Sequence, residues 1–578
     1  MHTALGCFGE ERIRMFAVKK FAAWVTSATL LITLGACDGS PGSGGNTSGG
    51  VGDTAKSLAE QAQYNPQPYG NVKDGGTLTT ALGEISPQWN IFQGDATAYS
   101  LTLWTWYNPV LTTFSADGKP AFSSEYLTDV KADTVNGNTR VTYTINPEAT
   151  YNDGLPIDWT AFEATWKANN GQNKAYIVNS SGGYDRIASV TRGIDDRQVI
   201  VTFNGVNVWW PATFRTLLNP KAVDPKVFND GYVDNPHPEW GSGPYTVTRF
   251  DKQSGTVVFT RNPRWWGKKG KLDTRVFLAM EDVASINAFR NGQLDAADVG
   301  TKDRLAQVRG MRGIDIRKGI SLQNELFTLN SKSPILADAQ VRKAVFQGID
   351  RQQIADITFQ GLNFTETLPG SLTLFSFQEG YQDNFSKAIT FNVEKAKQDL
   401  EAAGWRAGPD GGTRSKGGQP LEFSYVYTGD DPTGKAVAGA VVAMLTSIGI
   451  KLDIRQAASS DISSIISGRK FDMFYWRFLQ SDPFGMADIC QLYCSDSEFT
   501  LAGTNDPAFD PQVKLVNTLP TAQEQFAKGA EVETQAFKTY GVMPTVTLPA
   551  IIAVKHGLAN YGSGRFFTTT PENIGWQK

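Results

Sequence analysis

The chain has 578 residues, of which 40% are hydrophobic and 19% charged, and its formal net charge is −4. This length is too great for one compact core, so we expect two or three domains. No basic cluster carries interleaved aromatic residues, so nucleic-acid binding is not expected. With only three histidines, the composition argues against a metal site, and no cofactor is expected.

The first 36 residues have the pattern of an export signal. Lys19 and Lys20 precede residues 21–34, an uncharged and mostly apolar stretch that is shorter than the roughly 20 residues of a membrane span. The letters LGAC at residues 34–37 resemble a bacterial lipobox, a signal whose cysteine is lipidated and becomes residue one. We therefore expect residues 1–36 to be removed and Cys37 to carry a lipid anchor. The alternative is an apolar helix that happens to end in cysteine.

Residues 37–72 contain much Gly and Ser and have low hydrophobicity, which predicts a flexible tether. A flexible chain of this length has a root-mean-square reach of roughly 30–35 Å. It would hold a globular body just off the extracytoplasmic face of the cell membrane.

From residue 73 onward, strand and helix patterns alternate, which predicts an α/β protein. Alternating apolar and polar residues predict strands at 75–82, 138–145, 197–204 and 254–261. Helical patterns cover 158–169, 282–292, 339–350, 393–405 and 434–450. Asp158 is placed to cap the first of these helices, and Gly292 and Gly404 are placed to end two others.

Cys490 and Cys494 remain once the leader and Cys37 are set aside. In an oxidising, exported setting they are a disulfide candidate. The closed loop is small, so the gain from chain entropy is about 2 kcal/mol, enough to pin a local turn. Two reduced thiols are the alternative.

Two stretches of the sequence match known catalytic motifs only in part. Residues 429–436 have the spacing of a phosphate-binding loop, but Ala436 stands where a Ser or Thr would hold magnesium. Helix capping explains this stretch better. Residues 467–470 fit the Ser-x-x-Lys spacing of penicillin-binding enzymes without the companion elements. The chain is therefore not expected to be an enzyme, and a secreted hydrolase is the alternative from another class.

Seven stretches of the body, taken in order, form a recognisable set: 149–162, 241–250, 259–273, 286–299, 329–354, 391–405 and 448–454. Together they resemble the family-5 extracellular solute-binding proteins, the dipeptide- and oligopeptide-binding components of ABC importers. The resemblance implies a class II periplasmic-binding-protein fold, with two lobes around a ligand cleft plus an extra subdomain. It also implies a receptor that captures peptides or peptide-like solutes by cleft closure and delivers them to the permease and ATPase subunits of an ABC transporter.

The resemblance further implies how the chain divides. Lobe I would comprise residues 73–105, 239–322 and 546–578, the extra subdomain 106–238, and lobe II 323–545. The turn at residues 241–245 would lie near the crossover between the lobes, with Gly241 and Gly243 adopting backbone shapes that other residues cannot. We expect a monomer that contacts the membrane through its lipid anchor.

Residues 471–485 resemble the strand and loop that face the ligand in this family. Trp476 falls where peptide binders carry an aromatic residue against the ligand, and Arg477 is a candidate partner for an anionic group. Those relatives usually place an aspartate three residues later for the α-amino group of the peptide, where this chain has Leu479. Asp482 fits a later position in the family pattern and would replace that aspartate only if the loop shifts.

Aromatic residues are dense in the first part of the body, where most are expected to pack in a core and some to line the cleft. The aromatic cleft candidates are Phe92, Trp104, Tyr107 and Tyr245. The missing carboxylate at Leu479 leaves a second ligand class open, namely a glycolipid or glycan of the cell envelope bound in a regulatory role.

Overall fold

The structure is a computed structural model that describes residues 62–480, 482–497 and 500–578. The predicted signal, the lipidation at Cys37 and most of the tether lie outside these residues. Residues 62–72, predicted as the end of the flexible tether, instead pack on the folded body. Tyr64 stacks on Phe567 with ring centroids 4.3 Å apart, and Val72 is completely buried. The tether prediction was wrong for this stretch, because its aromatic and apolar side chains find partners on the body.

The strands of the structure, in chain order, are β1 Thr77–Leu82, β2 Thr112–Phe114, β3 Pro120–Phe122, β4 Leu127–Val135, β5 Asn138–Ile145, β6 Ile187–Arg192, β7 Gln198–Phe203, β8 Tyr245–Asp251, β9 Thr256–Arg261, β10 Thr274–Ala279, β11 Ala296–Asp298, β12 Ile314–Leu329, β13 Ser415–Lys416, β14 Gln419–Pro420, β15 Glu422–Thr428, β16 Lys451–Ala457, β17 Met473–Leu479, β18 Val542–Lys555, β19 Leu558–Ala559 and β20 Gly575–Trp576.

The helices are α1 Ala98–Tyr107, α2 Trp159–Asn169, α3 Asp282–Arg290, α4 Lys302–Val308, α5 Ala339–Gly348, α6 Arg351–Phe359, α7 Asn384–Ala388, α8 Val393–Ala402, α9 Pro432–Thr446, α10 Ile462–Gly468, α11 Ile489–Tyr493, α12 Asp510–Val516 and α13 Ala522–Phe537. Within the described ranges, no helix has both the length and the apolarity needed to cross a membrane.

The local sequence signals account for many of these boundaries. The strand β5 occupies the predicted residues, and the cap of α2 is confirmed because the Asp158 side chain accepts a hydrogen bond from the Thr160 backbone N–H. Gly292 and Gly404 follow α3 and α8 with positive φ, as helix-ending glycines do. The helix α9 begins two residues earlier than predicted, because Asp431 caps it ahead of its proline.

Ten of these strands form one sheet, in the order β16-β15-β17-β12-β18-β11-β1-β10-β9-β8. Lobe II contains β16, β15 and β17, and lobe I contains β11, β1, β10, β9 and β8. The two longest strands, β12 and β18, pair antiparallel with each other and run through both lobes. The fold is therefore α/β, with two lobes joined by a shared pair of strands.

The change of lobe lies where the pairing of β12 with β18 loses its regular register. Residues 315–317 of β12 pair with the part of β18 that contacts β11, whereas from Gln323 onward β12 also pairs with β17. The register shifts between Ile320 and Asn324, and Pro549 sits opposite Ile320. Proline has no N–H to donate to the ladder, which weakens the pairing at this point. The finer domain boundaries stay a prediction.

The extra subdomain is built on the four-stranded antiparallel sheet β4-β5-β7-β6. The helix α2 packs against this sheet, and a separate cluster of buried side chains, including Tyr143, Phe162 and Phe214, fills the space between them. The subdomain therefore has its own core, which lets it serve as a third wall for the cleft.

The turn at residues 241–245 needs glycine for a different reason from the one predicted. Gly241 and Gly243 have no positive φ. A Cβ atom on Gly243 would instead lie 2.9 Å from the backbone of Tyr107, whose carbonyl accepts hydrogen bonds from the N–H groups of Ser242 and Gly243. The turn leads from the subdomain into β8, and the crossing between the lobes is made by β12 and β18.

Candidate functional site

A cavity of about 730 Å³ lies between lobe I, lobe II and the subdomain. Its walls come from the start of α1 and the segment after β10 in lobe I, from β17 and the start of α9 in lobe II, and from residues 179–184 and 212–216 of the subdomain. This volume is typical of a site that encloses a small molecule or a short chain. All three parts of the body therefore meet at one enclosed space.

A buried arginine joins the lobes along one side of the cavity. The guanidinium of Arg304, in lobe I, lies 3.4 Å from Asp282, 3.1 Å from Asp298 and 3.0 Å from Asp431 of lobe II. Thr301 also donates a hydrogen bond to Asp431. Although burial lowers the pKa of Arg304, the three carboxylates outweigh it and raise the pKa overall. Arg304 is thus held charged at the contact between the lobes.

Two further contacts cross the same gap. Ser459 of lobe II donates from its backbone N–H and its hydroxyl to the carboxylate of Glu281, at 2.6 and 2.7 Å. The hydroxyl of Ser463 donates to Glu84 at 2.7 Å, and burial raises the pKa of Glu84 to about 7. These contacts hold the lobes together in the conformation described, which is a closed one.

Arg477 of β17 and Glu325 of β12 form a second charged pair at the cavity. The Nε atom of Arg477 lies 3.1 Å from Oε1 of Glu325, and Tyr475 donates its hydroxyl to Oε2 of the same carboxylate at 2.7 Å. About half of the Arg477 side-chain surface remains exposed, and it faces the cavity. Burial lowers the pKa of Arg477, but the carboxylates of Glu325, Asp282 and Asp298 raise it by more. The net shift of the pKa is therefore upward.

The other end of the cavity is formed by the subdomain and the loop after β17. Arg215 lies 3.0 Å from Asp482, which also accepts a hydrogen bond from the backbone N–H of Phe484 at 2.7 Å. Nearby, Ser180 donates its hydroxyl to Asp488 at 3.0 Å. Burial and the neighbouring Asp482 raise the pKa of Asp488 to about 7, although Arg215 and the Ser180 hydrogen bond lower it.

Four of the predicted cleft residues line this cavity: Phe92, Trp476, Arg477 and Asp482. Trp476 is mostly buried, with its ring parallel to that of Phe474 and its Nε1–H donated to Thr328 at 2.9 Å. Asp482 lines the cavity but is held by Arg215 and by its own turn. Arg477 faces the cavity despite lying next to Trp476 in the strand.

The structure places the other three predicted residues in the core of lobe I. Trp104 is 1% exposed, and Tyr107 and Tyr245 are 0% exposed. Their polar atoms are used within the protein: Trp104 donates to Thr216, Tyr107 to the carbonyl of Pro236, and Tyr245 to the carbonyl of Leu272. The structure therefore corrects their placement from the cleft wall to the core.

Cys490 and Cys494 form a disulfide that closes the short helix α11. Together with Asp496 they are the group in the described part of the chain whose ligand atoms lie close enough to hold a metal ion. With both sulfurs joined to each other, this group is not a metal site. The bridge instead fixes the segment that follows the cavity-lining Asp488.

Arg215, Arg304, Glu325, Asp431 and Asp488 were not singled out from the sequence. Their partners lie far away in the chain, and no spacing pattern marks such pairs. Asp431 is a partial exception, because residues 429–436 have the spacing of a phosphate-binding loop and their sequence predicts a helix cap. The capping is confirmed, since the Asp431 side chain accepts from the Thr433 backbone N–H.

Comparison with known proteins now identifies the family. The model of the bacterial extracellular solute-binding proteins, family 5, matches residues 124–499. The chain belongs to this family. It is also 32% identical over 523 residues to the oligopeptide-binding protein OppA of Mycobacterium tuberculosis strain H37Rv, covering 88% of this chain and 86% of that protein. Proteins of this family bind solutes rather than catalyse reactions.

Solved structures share the fold. The periplasmic EDTA-binding protein EppA superposes with a TM-score of 0.75 at 24% identity, covering 90% of this chain and 99% of that one. The oligopeptide-binding protein AppA of Bacillus subtilis, solved with a nonapeptide, gives 0.74 at 17% identity, covering 88% and 100%. These two likenesses support the two-lobed fold with its extra subdomain.

The contact between Arg304 and Asp431 gives a first test. Asp431→Asn keeps a good helix cap for α9 but removes the charge from the contact between the lobes. We expect the lobes to separate more often, so that the backbone N–H groups of Val283 and Ser459, which donate across the gap, exchange with solvent at least several-fold faster. Hydrogen–deuterium exchange detected by mass spectrometry measures the exchange rates of both N–H groups.

Asp338→Asn is the matched control, because Asp338 caps α5 in the same way and does not line the cavity. It should leave both exchange rates unchanged. Equal exchange in the Asp431 variant and in the unmodified protein would show that the charge contact does not hold the lobes together.

Proposed function

We propose that this chain is a lipid-anchored receptor that captures peptides or peptide-like solutes outside the cytoplasm and delivers them to the permease of an ABC importer. The observation that carries the proposal is the enclosed cavity between two lobes, whose walls combine apolar and aromatic surface with paired charges. Closure over a ligand follows from physical chemistry, since a ligand that contacts both lobes binds the closed form more tightly and shifts the population toward it.

The ligand class is inferred from relatives and from the lining. OppA of Mycobacterium tuberculosis, named as an oligopeptide-binding protein, matches nearly the full chain. The cavity also presents side chains that both donate and accept hydrogen bonds, among them Gln323, Thr428 and Gln491. A peptide backbone needs both kinds of partner when it leaves water, because an unpaired buried amide is costly. These features favour a peptide over an apolar ligand.

Native mass spectrometry of the whole chain, exported from an actinobacterial host and released from membranes by mild detergent, tests the ligand class. We expect bound masses that are released on denaturation as intact peptides of several residues. A glycan or lipid mass would replace the peptide proposal with the envelope-ligand alternative. Peptides that are cleaved during incubation would point to a hydrolase, and a chain that takes up nothing from synthetic peptide pools would contradict the proposal.

The anchor has its own test. Cys37→Ser removes the thiol that would carry the lipid, so we expect the chain to lose labelling by a radioactive fatty acid and to move from the membrane fraction to the medium. Cys7→Ser, a second leader cysteine, is the control and should keep both the label and the membrane association. A Cys37 variant that is still labelled and still sediments with membranes would rule out the anchor.

A further inference from the structure

Glu84 is a buried carboxyl group at the contact between the lobes that has no cation beside it. It follows β1 in lobe I, is 5% exposed, and accepts a hydrogen bond from the hydroxyl of Ser463 in lobe II. Within the part of the chain that the structure describes, no basic side chain forms an ion pair with it. At the same contact, by comparison, Arg304 neutralises its carboxylate partners. Closure of the lobes therefore buries Glu84 without a counter-charge.

The end of β1 is packed tightly against lobe II. A Cβ atom on Gly83 would lie 2.5 Å from the hydroxyl of Tyr99 and 3.2 Å from the Cβ atom of Ser459 in lobe II. Because Gly83 has no side chain, lobe II comes close enough to cover the next residue, Glu84. Separation of the lobes would take Ser459 and Ser463 away and let water reach this carboxyl group. The solvation of Glu84 therefore depends on whether the lobes are closed.

The surroundings of Glu84 favour its neutral form. Burial is the largest effect and raises the pKa of Glu84 to about 7, because a charge is costly to remove from water. The hydrogen bonds from Ser463 lower the pKa, and the negative charge of Asp461 in lobe II raises it. From α1, Glu84 faces the side chain of Tyr99. Tyr99 in turn lies near Arg477, Asp282 and Glu281.

We propose that Glu84 makes closure of the lobes sensitive to pH, so that the cleft closes more readily in acidic than in neutral surroundings. The carboxyl group takes up a proton when the lobes close over it and releases that proton when they open. The inference goes beyond the proposed function, because it concerns the lobes alone and holds whichever ligand the cavity takes. A receptor that lies outside the cytoplasm would then close more tightly as the medium becomes acidic.

The direction of the effect follows from the pKa of Glu84 in the two conformations. In the open form the carboxyl group is in water, where the pKa of a glutamate is about 4.3. In the closed form its pKa is about 7. The closed form is therefore favoured most below about pH 4.3, and this advantage is lost as the pH rises toward 7. Asp488, at the contact between lobe II and the subdomain, acts in the same direction, because burial raises its pKa to about 7.

Single-molecule energy transfer between dyes at Lys252→Cys in lobe I and Lys451→Cys in lobe II measures the ratio of closed to open molecules in the full chain without ligand. Between pH 5.5 and pH 7.5 we expect this ratio to fall roughly tenfold or more. Glu84→Gln keeps the shape of the protonated group and cannot ionise. At pH 7.5 we expect its ratio to exceed that of the otherwise unmodified protein by roughly tenfold or more. If Glu84 only supported the packing, the substitution would instead open the lobes.

Glu281→Gln is the matched control. Glu281 is also a lobe I glutamate that accepts hydrogen bonds from a serine of lobe II, Ser459, but it is less buried than Glu84. This variant should keep the fall in the ratio between the two pH values. Equal ratios at both pH values in the protein with Glu84, or a Glu84 variant that is no more closed at pH 7.5, would overturn the inference. Because no ligand is added, either result would leave the proposed function standing.

Discussion

The antiparallel pairing of β12 with β18 is the constraint on which the rest of the structure depends. These two strands are the ones that belong to both lobes, and each lobe completes its half of the sheet on them. Backbone hydrogen bonds tie the pair together along most of its length, so the lobes cannot drift apart independently. The ladder is interrupted between Ile320 and Asn324 and opposite Pro549, so we expect bending between the lobes to occur there.

The closed arrangement of the lobes is stabilised by side-chain contacts that join one lobe to the other and that separated lobes could not make. Arg304 with Asp431, Glu281 with Ser459, and Glu84 with Ser463 all join one lobe to the other. Arg304, Asp431 and Glu84 are buried in this conformation. Burial removes their hydration and at the same time strengthens their attraction, so the net gain in free energy is small. A small net gain suits a receptor, because the ligand must then supply the difference between open and closed states.

The fold could be predicted well from local signals. The alternation of apolar and polar residues predicts the position of β5. The helix ends at Asp158, Gly292 and Gly404 depend on residues only a few positions away in the chain. The resemblance in ordered motifs then supplied the two-lobed topology, which no local pattern contains. Residues 62–72 were misjudged because composition describes average flexibility and takes no account of a few aromatic side chains that find a surface.

The site could be predicted only in part. The motif around Trp476 correctly predicts one wall of the cavity. Tyr107 and Tyr245 are instead core residues. The sequence pattern indicates that an aromatic ring is buried, but it does not distinguish burial in the core from a position in the cleft wall. The charged partners of the cavity, such as Arg215 with Asp482, are far apart in sequence and become visible only when the chain is folded.

The central claim is that the lobes close on a ligand by bending at the interrupted pairing of β12 with β18. Spin labels at Lys252→Cys in lobe I and Lys451→Cys in lobe II, both on exposed positions, would report the separation of the lobes by pulsed electron resonance. We expect a broad or two-peaked distance distribution in the empty protein that collapses to a single, shorter distance when a synthetic peptide pool is added. One distance that stays the same with and without the pool would contradict it.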